Sequence, residues 1–110
     1  MAGDTAPVRE RLEAERARLL EEIAAVEIEP PEPMTYGSQA AAASQVFDQN
    51  RARALRERAE HELAQVDEAL TRLAAGAYGL CLACGRPIDP ARLEALPWAL
   101  LDLECQRKVR

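Results

Sequence analysis

All three cysteines of this 110-residue chain fall in its last third, at spacings that admit few structures. Cys81 and Cys84 form a Cys-x-x-Cys knuckle followed directly by Gly85. In a metal-binding finger a second knuckle is expected about 15–20 residues further on. At that distance the chain has Asp102-Leu103-Glu104-Cys105, so an aspartate stands where the second pair would open with a cysteine. Two thiolates on one knuckle and a distant second pair close a tetrahedron around Zn²⁺, and they hold together a small fold that buries too little apolar surface by itself. Three thiolates and a carboxylate carry the same formal charge as four thiolates. A zinc–oxygen bond of about 2.0–2.2 Å against about 2.3 Å for sulfur partly offsets the extra bond in the aspartate side chain. The harder oxygen weakens the site relative to sulfur. Cys81, Cys84, Cys105 and Asp102 are therefore the candidate ligands, with Glu104 as a reserve oxygen. Two outcomes stay open: a zinc-loaded finger, or a degenerate finger held by its apolar residues.

The rest of the chain reads as helix. A hydrophobic share of 48% with only 4% aromatic residues means a core of Leu, Ala, Val and Ile, which favours packed helices over a deep aromatic-lined pocket. Asp4 or Thr5 can cap a first helix with Pro7 in its first turn, and Val8, Leu12, Leu19, Ile23 and Val26 form its apolar stripe. This helix is expected to end near Ile28, before Pro30, Pro31 and Pro33. A proline-rich connector near 29–37 follows. Ser38 or Ser44 then begins a second helix, with Leu55, Ala59, Leu63, Val66, Leu70 and Leu73 recurring every three or four residues until Gly76. At about 1.5 Å per residue it would extend roughly 50 Å. Two such stripes pack antiparallel, because neither helix can bury its own alone.

The fold expected is thus mainly α: an antiparallel helical hairpin, or coiled-coil arm, over residues 1–75, then a small zinc-finger-like module and a C-terminal helix over 76–110. Tyr78, Ile88, Leu93, Leu96, Trp98, Leu100 and Leu101 are the apolar residues available to fill the finger. Pro90 and Pro97 divide it into a short helical turn and a last helix from Trp98 onward. His61 reads as a surface or seam residue of the second helix.

Function classes narrow accordingly. With 14 Lys and Arg against 19 Asp and Glu, the net charge is −5, which disfavours direct nucleic-acid binding. No window reaches the length of a membrane span, and the first residues lack the apolar segment of a signal peptide. A cytoplasmic protein is expected, and cysteines at metal-ligand spacing suit a reducing compartment. Carboxylates lie on solvated helix faces, no glycine-rich phosphate loop is present, and His61 has no nucleophile arranged with it. The expectation is a binding protein, not an enzyme.

Gly76-x-Tyr78-Gly79-x-Cys81-x-x-Cys84-Gly85-x-Pro87-Ile88, followed by Arg92-Leu93-Glu94-Ala95-x-Pro97-x-Ala99 and Cys105, resembles the C-terminal finger of the DksA/TraR family of RNA polymerase-binding factors. The match covers about thirty residues with their spacing kept, and the hairpin upstream is similar in kind to the family's arm. The resemblance implies a transcription regulator whose arm enters the secondary channel of bacterial RNA polymerase, core or holoenzyme, while finger and C-terminal helix rest on the rim. It implies action on initiation without DNA contact, a place in the stringent response, and ppGpp at the joint interface. The family's tip motif, Asp-x-x-Asp-x-Ala, aligns with Ser38-Gln39-Ala40-Ala41-Ala42-Ala43, so the resemblance makes Ser38, Ala41 and Ala43 the partner-binding positions of the arm tip. Only Ala43 matches the motif. That departure keeps a second expectation in view: a noncatalytic adaptor or zinc-handling relative without the family's usual effect on promoters.

Overall fold

The computed structural model describes residues 5–26 and 39–109, with side chains from 46 onward in the second segment. Among these described residues four helices follow in order: α1 (Ala6–Ala25), α2 (Gln39–Ala74), α3 (Pro90–Ala95) and α4 (Leu103–Lys108). Among the described residues, the extended pairing consists of one isolated antiparallel bridge between Leu80 and Pro87. The architecture is the helical hairpin with a small finger at its base, and its principal extents are 69 × 29 × 20 Å.

Thr5 takes the N-cap position of α1 without a side-chain bond, and Pro7 lies in the first turn, where a missing N–H costs nothing. α1 ends at Ala25, slightly before the expected Ile28, with Val26 as its C-cap. α2 begins between the two serines considered. Ser38 lies outside the described residues, and Ala41 and Ala43 fall in the opening turns of α2, where only the backbone is described.

The two long helices pack along one seam. Leu12 and Leu19 from α1 and Ala59, Val66, Ala69 and Leu73 from α2 are buried, with Val8, Ile23, Leu63 and Leu70 packed beside them. Ala59, Val66 and Leu73 repeat every seven residues, the spacing that keeps one line of a helix facing a partner. Fully burying a leucine or valine contributes about 1.5–3 kcal/mol, so Leu12, Leu19 and Val66, each at 0% exposure, dominate the seam. Register is marked outside it by Arg16, whose Nε lies 2.7 Å from Asp67, and by Arg18 at 4.0 Å from Glu62. Arg58 meets Glu62 at 3.7 Å as a one-turn pair on a solvated face, and Arg56 meets Glu60 at 2.8 Å. His61 is exposed.

Leu55 does not join the core. It continues the α2 stripe, yet it is 46% exposed, bordering an open polar cleft with Arg18 and Glu22 of α1 and Arg58 and Glu62 of α2. The beginning of α2 likewise leaves Val46 and Phe47 exposed.

α2 stops at a Schellman turn. The Ala77 amide donates to the Arg72 carbonyl at 2.8 Å and the Gly76 amide to that of Leu73 at 3.2 Å. Gly76 sits between them at φ +76°, a conformation that suits glycine. Arg72 then reaches forward, donating to the carbonyls of Ala77 and Leu80, so the end of α2 is bound directly to the finger.

Tyr78, Trp98 and Leu100 pack against the hairpin core, so apolar packing is continuous from α1 through α2 into the finger. Arg11 of α1 adds a polar latch, donating to the Glu94 carbonyl at 2.9 Å. Ile88 is buried as expected, but Leu96 is 38% exposed. The last helix also differs from expectation. It starts at Leu103, not Trp98. The Leu100 carbonyl accepts from the Leu82 amide at 2.8 Å and the Leu101 carbonyl from Arg92 Nε at 3.1 Å. Both are engaged across the finger instead of along a helix.

Candidate metal centre

The first knuckle is built by backbone bonds that turn the chain around Cys81. Its amide donates to the Arg86 carbonyl at 2.8 Å, its carbonyl accepts from Gly85 at 2.9 Å, and Ile88 donates to Gly79 at 2.7 Å. Gly79 has φ +85°, and a Cβ there would meet Leu93 Cδ1 at 3.4 Å. A side chain at this position would be strained and would also crowd the finger's packing.

The second half of the site is held from two sides. Leu82, inside the first knuckle, binds Leu100, and Arg92 on α3 binds Leu101. Together they place Asp102 opposite the knuckle. α3 is itself positioned by Asp89, whose carboxylate caps it through the Ala91 amide at 3.0 Å, with Pro90 in the first turn. Asp102 does the same for α4: Oδ1 accepts from the Cys105 amide at 2.7 Å.

Cys81, Cys84, Asp102 and Cys105 come together with one ligand atom of each within 4.8 Å of the others. Four donors at about 2.0–2.3 Å from a single ion require this order of spacing. Cys81 is buried, Asp102 and Cys105 are half-buried, and Cys84 is exposed. Glu104, the reserve oxygen, is exposed and not part of the cluster.

The electrostatics of the cluster turn on one carboxylate. Burial pushes the Cys81 thiol up, but the amides of Asp102, Cys84 and Ala83 oppose this, and the thiol falls to about 7. The Cys105 amide, aided by the thiols of Cys84 and Cys105, holds the Asp102 carboxyl down to about 2. Cys84 donates from Sγ to Asp102 Oδ2 at 3.0 Å. The same carboxylate raises the Cys84 thiol and pushes Cys105 up to about 12. One fixed anion thus suppresses ionisation of two neighbouring thiols. A dication reverses this balance by deprotonating the thiols it coordinates. Donor types, spacing and charge all fit Zn²⁺, and Zn²⁺ is the cofactor of this finger. When bound, it cross-links the knuckle of Cys81 and Cys84 to the start of α4.

All four ligand candidates were legible from spacing. Arg92 and Arg72, which position the second half of the site and the finger's entry, were not. Their partners are carbonyl groups, and a carbonyl leaves no signature in side-chain identity. Among the described residues no helix is long and apolar enough to cross a membrane.

A sequence model described as the prokaryotic dksA/traR C4-type zinc finger matches residues 76–110. The RNA polymerase-binding transcription factor DksA of Caulobacter vibrioides is 42% identical over 53 residues, which are 48% of this chain and 37% of that protein. An uncharacterized protein of Aquifex aeolicus is 38% identical over 47 residues, 43% of this chain and 32% of that one. The chain therefore aligns with only about a third of the length of these two relatives. The structure of transcription factor DksA2 from Pseudomonas aeruginosa is similar over more of the molecule. It has a TM-score of 0.55 at 32% sequence identity, covering 91% of this chain and 72% of that one.

Proposed function

The chain belongs to the DksA/TraR family, and from that premise we propose that it binds bacterial RNA polymerase and regulates transcription initiation without contacting DNA. The hairpin of residues 1–75 is the arm that enters the secondary channel, and the finger and α4 of residues 76–110 rest on the channel rim. ppGpp binds at the joint surface, and the protein works in the cytoplasm, where the polymerase is.

The observation that carries this reading is the extent of the likeness to DksA2, which takes in 91% of the chain and so reaches well beyond the finger. The charge supports it as well. A net charge of −5 suits a protein that binds a protein surface, and a duplex would repel it. The relatives that carry a functional name are called transcription factors, which agrees with a protein that binds and does not catalyse.

The stretch from Ser38 to Ala43 lacks carboxylates, and this favours a second reading, an adaptor or zinc-handling relative without the usual promoter effect. Purified polymerase separates the two. The chain is expected to bind core enzyme and to shorten open-complex lifetime only weakly. Ser38→Asp combined with Ala41→Asp should then strengthen the effect with little change in affinity. No binding by either form would leave the adaptor reading.

A further inference from the structure

Asp102 has a separate partner on each carboxylate oxygen. Oδ1 accepts from the Cys105 amide at 2.7 Å, which makes the residue the N-cap of α4. Oδ2 accepts from Cys84 Sγ at 3.0 Å, and the residue shares one cluster with Cys81, Cys84 and Cys105. A helix of six residues is too short to persist alone, so α4 depends on its cap and on what holds Cys105. α4 carries Arg107 and Lys108 in its last turn. A cysteine at position 102 would offer a single sulfur for both tasks, and sulfur is a weak hydrogen-bond acceptor.

We infer that Asp102 does two separable jobs, holding the metal through Oδ2 and capping α4 through Oδ1, so that this finger gives up some grip on its ion in exchange for a firmly started last helix. The inference concerns the finger alone and stands whether or not the chain binds polymerase. Because both bonds end on one side chain, rotating the carboxylate to serve one partner disrupts the other.

Substitutions separate the two jobs. Asp102→Asn keeps an oxygen for the cap but offers the ion a neutral amide. Asp102→Cys supplies a thiolate and removes the oxygen cap, and Asp102→Ala removes both. In the full chain, zinc affinity is read by competition with a chromophoric chelator. Hydrogen exchange of the Cys105 amide is read by NMR in the protein kept saturated with zinc. The Asn variant should bind zinc about tenfold or more weakly while keeping wild-type exchange at Cys105. The Cys variant should bind zinc at least as tightly as wild type, with Cys105 exchanging about fivefold faster, as expected for one lost N-cap. The Ala variant should lose on both measures. Asp102→Ser, a second variant that retains a cap, repeats the Asn test if Asn perturbs the fold. The inference is overturned if affinity and exchange move together in both the Asn (or Ser) and Cys variants, or if Ala changes neither.

Discussion

Tyr78 donates its hydroxyl proton to the Pro97 carbonyl at 2.8 Å while it packs on the hairpin core, so one side chain ties the start of the finger and the segment after α3 to the arm. Tyr78→Phe keeps the ring and leaves a partly buried carbonyl without its donor. The zinc-loaded protein should lose about 1 kcal/mol. Urea denaturation checks this, and an unchanged midpoint would mean the bond is matched by water in the variant.

The hairpin seam rests on Leu19, which has no exposed surface. Leu19→Ala should cost about 2–5 kcal/mol. Leu70, which belongs to the α2 stripe, is only half-buried, so Leu70→Ala should cost less. Thermal melts of the two variants side by side decide the order, and equal losses would argue against the seam described.

Gly76 closes α2 at φ +76°, and a Cβ built there meets nothing within 4 Å. The cost of Gly76→Ala is therefore purely one of backbone conformation, about 1–2 kcal/mol. A variant as stable as wild type would show that the Schellman turn relaxes freely.

Zinc should be bound at close to one ion per chain in reducing buffer, with an affinity that rises with pH. The sign follows from the thiols. Cys84 and Cys105 sit above the ordinary thiol value and Cys81 at about 7, so binding displaces protons and acid opposes it. Above pH 7 two thiols give up protons, and below it Cys81 joins them. The logarithm of the affinity should therefore climb with a slope of about two above pH 7 and steepen toward about three below. Asp102, ionised down to about 2, adds nothing to the slope. Native mass spectrometry gives the stoichiometry, and chelator competition across pH gives the slope. A flat profile would mean the thiols are not the ligands.

Features set by neighbours in sequence were the easiest to read. The Cys81 and Cys84 knuckle, the proline that opens α3 and the glycine that closes α2 each act within a few residues. The gathering of Cys81, Cys84, Asp102 and Cys105 into one cluster also followed, because spacing constrains it. What escaped depended on distant partners. The run from Trp98 to Leu101 is apolar enough for a helix, but Leu82 and Arg92 draw its carbonyls across the finger. Leu55 has the right period, but it stays exposed among the charged side chains of Arg18, Glu22, Arg58 and Glu62. Asp102 announced itself as a ligand candidate, yet its cap on α4 was also within reach of the sequence, since an aspartate three residues before the amide it binds is a common helix start.

The seam between α1 and α2 also sets an order of events during synthesis. Leu12 and Leu19 leave the ribosome about forty residues or more before the α2 residues that cover them, Ala59 to Leu73. At about 5–20 residues per second the stripe of α1 waits roughly 2 seconds or longer for its partner. Arg11 waits longer still, because its acceptor on Glu94 lies 83 residues away. A chain paused after Leu73 and before Glu94 would already possess the residues for its hairpin and would still lack the latch that fastens the base.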